Sequence, residues 1–140
     1  MTTQDSLPTV LFVCIHNAGR SQIAEALFNA YSGGKARAVS AGVEPVQALN
    51  VKVVAAMRDA GYDMGGQAPK LLDPAMIDAA DRVITMGCMD DPSCPAVLAD
   101  EDWGLDDPAA APMPKVVAIR DEIARRVRAL LREMGIEPVR

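Results

Sequence analysis

Val10-Leu11-Phe12-Val13-Cys14-Ile15-His16-Asn17-Ala18-Gly19-Arg20-Ser21 is the stretch on which the fold turns. It opens on an unbroken apolar run, the pattern of a strand buried on both faces, which predicts a strand over Pro8 to Val13 with Cys14 at its carboxyl end. Beyond Ser21, apolar Ile23, Ala24, Leu27, Phe28 and Tyr31 recur at helical spacing until Ser32-Gly33-Gly34 stops them. Ile15 to Arg20 is thus a tight loop between a buried strand and the start of a helix.

Working outward, Arg37 to Ala41 reads as a second strand, and Gln47 to Ala60, with Val51, Val54, Ala55 and Met57 as its apolar face, reads as a second helix ended by Gly61. Pro74 to Ala80 is predicted to be a short helix with Pro in its first turn, leading to a strand at Arg82 to Met86. A loop carrying Cys88 and Cys94 follows. From Pro114 to Met134, residues Val116, Val117, Ile119, Ile123, Val127, Leu130 and Leu131 mark a long amphipathic helix closed by Gly135. Strands alternating with helices predict an α/β fold in three layers: a small parallel sheet of about four strands with helices on both faces. Its ligand site belongs at the carboxyl ends of the strands, where Cys14 and Cys88 both fall.

With 140 residues, the chain has the length of one domain, expected over residues 1–140, with a single core. Half of the residues are hydrophobic and 24% are charged, the balance of a globular protein. The net charge of −5 and the scatter of the basic residues exclude a nucleic-acid binder; Arg125, Arg126 and Arg128 read as the solvated face of the last helix. No stretch reaches the roughly 18 apolar residues of a membrane span, and Met1 to Pro8 lacks the pattern of a signal peptide, so a cytoplasmic protein is expected. Three cysteines with one histidine make neither a secreted disulfide scaffold nor a complete zinc site, and no metal is expected. The cysteines are left for redox or nucleophilic work, or, on the plainer reading of Cys88 and Cys94, as small half-buried hydrophobes.

The chemistry concentrates at Cys14. A turn between a strand and a helix start aims successive backbone N–H groups inward, and the helix N-terminus adds positive potential, so residues Cys14, Ile15, His16, Asn17, Ala18, Gly19, Arg20 and Ser21 form a candidate oxyanion nest. The same field favours thiolate over thiol at Cys14. Arg20, six positions on, supplies a planar fork matched to a tetrahedral oxyanion. A thiolate held in this way needs no base, so His16 reads as a loop-surface residue.

The segment Val13 to Glu25 resembles the signature of arsenate reductases of the low-molecular-weight tyrosine phosphatase superfamily. Ser40-Ala41-Gly42, Thr85-Met86-Gly87-Cys88, Cys94-Pro95 and Trp103-Gly104-Leu105-Asp106-Asp107-Pro108 follow in that family's order. The resemblance implies a phosphatase-like fold in which Cys14 is the nucleophile, Arg20 binds the oxyanion, Ser21 holds the thiolate, Asn17 shapes the loop and Asp107 is the acid. It further implies that arsenate is the substrate, that Cys88 attacks Cys14 and Cys94 resolves Cys88, and that no cofactor is bound, an external thiol system serving as reductant. That partner is thioredoxin, or mycothiol with mycoredoxin, since His16-Asn17-Ala18-Gly19 also resembles mycothiol-linked members. Relatives that hold potassium behind the loop do so with residues matching Asn17, Glu25 and Ser40; here Lys70 replaces a further acidic ligand, and its ammonium can fill the cation's place. The alternative is a tyrosine phosphatase working through a phosphocysteine. Against it, Pro108 is followed by Ala109-Ala110-Ala111 instead of ring-clamping aromatics, and the chain has only two Tyr and one Trp. A non-catalytic anion-binding module leaves the further cysteines without a purpose.

Overall fold

A computed structural model describes residues 7–87 and 99–140. Chain order is β1 (Thr9–Cys14), α1 (Arg20–Tyr31), β2 (Arg37–Gly42), α2 (Val51–Asp59), α3 (Pro74–Ala79), β3 (Arg82–Thr85), β4 (Glu101–Asp102) and α4 (Met113–Glu133). All pairings are parallel and the strand order is β2-β1-β3-β4. β1 is therefore central, with Cys14 opposite Gly42 on one side and Val13 opposite Thr85 on the other. The chain passes from β1 to β2 at one edge and then crosses back to β3 on the other side of β1, and the crevice such a switch creates lies at the carboxyl end of β1.

Burial explains the apolar run. Val10, Leu11, Phe12 and Val13 are completely buried and alternate between two clusters. Val10 and Phe12 meet α1, α2 and α4 in the main core, while Leu11 and Val13 lie under Leu72, Met76 and Ile77 beside α3. Each such side chain is worth about 1.5–3 kcal/mol when fully buried. These two clusters are the two faces of a three-layer α/β architecture. In α4, every apolar position read from the sequence is buried except Val117, which is half-buried, and among the described residues no helix is long and apolar enough to cross a membrane.

Two local readings change. α2 begins at Val51, because Asn50 caps it, accepting from the N–H groups of Lys52 at 2.8 Å and Val53 at 3.4 Å. Gln47 to Asn50 thus precede the helix, and its buried face is Val53, Ala56 and Met57, with Val51 left 80% exposed. The short β4 had no apolar signal. It forms because the carboxylate of Asp102 accepts from the Thr85 hydroxyl at 2.6 Å and the Gly87 N–H at 2.9 Å, bonds to side chains and backbone that its own sequence does not advertise.

Candidate active site

The loop from Cys14 to Ser21 is fastened by its carbonyls. Those of Cys14, Ile15, His16 and Ala18 accept from the N–H groups of Val43, Glu44, Val46 and Asn50, at 2.8 to 3.3 Å. The segment leaving β2 thereby pulls every one of these carbonyls outward. The N–H groups of residues 15 to 19 have no protein acceptor among the described residues. A ring of amides facing inward, with its carbonyls occupied elsewhere, is the arrangement that attracts an anion.

The close seating of this loop sets a condition on Gly42. A Cβ there would lie 2.7 Å from the Ile15 carbonyl and 2.9 Å from the Asn17 nitrogen, so only glycine lets β2 pass under the loop. Asn17 itself has φ +52°, the left-handed region that asparagine tolerates better than most residues. Its side chain donates to Ser21 Oγ at 2.7 Å and Ser40 Oγ at 3.0 Å, and accepts from the Lys70 N–H at 2.8 Å and Gln22 Nε2 at 2.9 Å. Behind it, Ser40 donates to Glu25 at 2.6 Å, and the Lys70 ammonium stands 3.5 Å from the same carboxylate oxygen.

Cys14 Sγ lies at the floor of the loop, buried to 2% exposure, with Ser21 Oγ at 2.8 Å. Arg20, 4% exposed, donates through Nη1 to the carbonyls of Met86 at 2.8 Å and Leu105 at 2.9 Å. Holding a guanidinium by two carbonyls leaves Nη2 and Nε for the cradle. Gly87, φ +106°, makes room: a Cβ would fall 2.8 Å from the Leu105 carbonyl and 2.9 Å from Arg20 Nη1.

A cavity of about 30 Å³ opens over the sulfur, lined by Cys14, His16, Ala18, Gly19, Arg20, Asn50, Asp107, Pro108 and Ala109. It suits an anion of a few atoms. The two neighbouring aspartates part company at its rim. Asp107 Oδ2 is 3.8 Å from Arg20 Nη2, whereas Asp106 turns to Lys115 at 2.7 Å. The hydrogen bond and charge of Lys115 hold the Asp106 carboxyl below its ordinary range. His16 is half-buried at the mouth, and among the described residues its ring makes no hydrogen bond.

Of the residues read from the sequence, the structure brings together Cys14 through Ser21 and Asp107; Cys88 and Cys94 lie outside the described residues. The sequence reading missed Asn50 at the rim, the carbonyls that hold Arg20, and the Lys70 N–H behind Asn17. Backbone groups carry no residue-type signal, but Asn50 could have been found as the best N-cap before the apolar run of α2.

Comparison with known proteins agrees with this architecture. An arsenate reductase of Bacillus cereus is 35% identical over 123 residues, covering 86% of this chain and 91% of that protein. Among solved structures, a thioredoxin-dependent arsenate reductase of Corynebacterium glutamicum superposes with a TM-score of 0.76 at 38% identity, over 92% of this chain. This chain spans only 62% of that one. A structure described as an arsenate reductase in the phosphate binding state gives a TM-score of 0.78 at 30% identity, over 91% of this chain and 98% of its own. Residues 9–139 match the family model for low molecular weight phosphotyrosine protein phosphatases, and the chain belongs to that family.

Proposed function

We propose that the protein is a cytoplasmic arsenate reductase, a thiol-dependent oxidoreductase acting through a single domain over residues 1–140. The observation that carries this reading is the pairing of a buried thiol with a ring of inward N–H groups and a pinned guanidinium, all at one oxyanion-sized opening. Arsenate is a small tetrahedral oxyanion, and the relatives named above as arsenate reductases match this chain along most of its length.

In this mechanism the Cys14 thiolate attacks arsenic while the amides of residues 15–19 and Arg20 bind the oxyanion's oxygens. Asp107 protonates a departing oxygen, which leaves as water, and a Cys14–arsenic(V) adduct remains. A second thiolate, from Cys88, then attacks the Cys14 sulfur. The electron pair of the sulfur–arsenic bond passes to arsenic, arsenite leaves, and a Cys14–Cys88 disulfide forms. Cys94 attacks Cys88, which frees Cys14 and moves the oxidising equivalent to Cys88–Cys94. Thioredoxin reduces that disulfide; mycothiol with mycoredoxin is the other candidate system. The same cradle admits phosphate, but Ala109-Ala110-Ala111 beside the opening offers no aromatic clamp for a phosphotyrosine ring.

Peptide mapping after one arsenate turnover tests the relay. Wild type is expected to accumulate Cys88–Cys94, and Cys94→Ser to trap Cys14–Cys88. Full multiple turnover by Cys88→Ser with mycothiol and mycoredoxin would replace the relay with Cys14 and an external thiol. No arsenate-dependent turnover with either system would overturn the reductase reading.

A further inference from the structure

Gln22 is completely buried in the first turn of α1, and nothing in the proposed chemistry uses it. Its Nε2 lies 3.1 Å from the Asn17 carbonyl, 2.9 Å from Asn17 Oδ1 and 2.9 Å from the Ala68 carbonyl. Two of those three are backbone carbonyls, which only accept, so this end of Gln22 is the nitrogen. Its oxygen accepts from Gln67 Nε2 at 2.6 Å.

The directions of the neighbouring hydrogen bonds follow one from another. The backbone N–H of Lys70, which only donates, points at the same Asn17 atom as Gln22 does, so that atom is Oδ1. Asn17 Nδ2 then faces Ser21 and Ser40, and each of its two hydrogens goes to one hydroxyl oxygen. Ser40 spends its own hydrogen on the Glu25 carboxylate. Ser21, accepting from Asn17, has its hydrogen free for its one other partner among the described residues, Cys14 Sγ at 2.8 Å.

We infer that Gln22 is a positioning residue: together with the Lys70 N–H it locks the Asn17 amide in the orientation that makes Ser21 a hydrogen-bond donor to the Cys14 sulfur. Reversal of the Asn17 amide would offer Ser21 an acceptor, and the hydroxyl would turn away from the sulfur. Gln22 thus acts on the nucleophile through two intermediaries, and it reaches the oxyanion cradle only at the carbonyl and side chain of Asn17, on the side away from the N–H groups. The inference rests on the reading of Cys14 as the nucleophile, not on arsenate as the substrate.

Alkylation of Cys14 by iodoacetamide at pH 7, in a Cys88→Ser, Cys94→Ser background and with inorganic phosphate as protectant, tests it. Gln22→Glu places a carboxylate against three acceptor oxygens and invites reversal of the Asn17 amide, so alkylation should slow about tenfold. Gln22→Met removes the donors without adding charge and leaves Lys70 in place, so about threefold is expected. In both, the phosphate concentration giving half-protection should stay within about twofold of the parent, because the Gln22 side chain bonds neither Arg20 nor any N–H of residues 15–19. If the Glu variant does not fold, the Met variant alone decides. Alkylation at the parental rate would overturn the inference, and so would slower alkylation with phosphate protection lost in proportion, which marks a collapsed loop. A protein without arsenate turnover whose alkylation still responds to Gln22 would remove the reductase reading and leave this one standing.

Discussion

The two ends of α1 hold opposite kinds of polar cluster. At its start, Arg20 and the loop of residues 15–19, whose N–H groups have no acceptor among the described residues, border an opening of about 30 Å³ that contains a thiol. At its end, 11 residues and thus about 16 Å along the axis, Tyr31 sits by a cleft of about 340 Å³ lined with Tyr62, Arg120 and Arg128. There the polar groups are spent on one another. The Tyr62 and Tyr31 hydroxyls share a hydrogen bond at 3.2 Å, Arg128 donates to the Tyr31 hydroxyl at 3.3 Å and lies over its ring at 4.6 Å, and Arg120 donates to the Ala56 carbonyl at 2.7 Å. Size does not mark the reactive end. What marks it is a set of donors whose acceptor the described protein does not supply.

The sharpest way to break this comparison is to exchange arginine for lysine at each end. Arg20→Lys keeps the charge but cannot hold two carbonyls and face an oxyanion at once, so turnover should fall by roughly 10²–10³. Arg128→Lys should leave turnover within about twofold and cost on the order of 1 kcal/mol of stability through the lost stacking on Tyr31. Steady-state kinetics with thermal unfolding decides. Near-parental turnover in Arg20→Lys would reduce Arg20 to a counter-charge.

The rim offers a finer test, because two adjacent carboxylates face different ways. Asp107→Asn should slow turnover by about 10²-fold if it delivers the proton to the departing oxygen. Asp106→Asn, whose carboxylate reaches the Lys115 ammonium at 2.7 Å, should change it less than about twofold, a surface ion pair being worth little. The reverse order would move the acid by one residue. Lys115 lowers the folded pKa of Asp106, so what that pair adds to stability is present above the unfolded carboxylate pKa and fades as pH falls through the lower folded value.

How much of this was legible depends on how local the information is. The strand, loop and first helix occupy one contiguous stretch whose burial pattern, Gly and Arg each speak for themselves, so Cys14 to Ser21 could be read directly. The facing of α2 could not, because Val51 is apolar yet 80% exposed at the first turn beside Asn50, and only packing shows that Val53, Ala56 and Met57 point inward. β4 is two acidic residues long; its signal resides in Thr85 and Gly87, 15 to 17 positions away. Gln22 is the deepest case. A neutral amide in a helix looks like surface, and its role exists only because Ala68 returns to it, and Lys70 to Asn17 beside it, across more than 40 residues.

The smallest effect belongs to the closed end of α1. Burial pushes the Tyr31 hydroxyl up to about 12, helped by its hydrogen bond with Tyr62 and opposed by the charges of Arg128 and Arg140. The folded protein thus prefers the neutral phenol, whereas an unfolded chain releases that proton near pH 10. Between those two values the unfolded state binds fewer protons than the folded one, so stability falls as pH rises through the window, and the contribution is whole below pH 10. Tyr31→Phe should remove this slope, which denaturant unfolding of the two proteins at pH 8 and at pH 11 would measure. At neutral pH the same change removes the hydroxyl's bonds with Tyr62 and Arg128 and should cost about 1–3 kcal/mol, with arsenate turnover untouched. A loss of turnover in Tyr31→Phe would mean that the two ends of α1 are coupled, and that the paired cluster is part of the site after all.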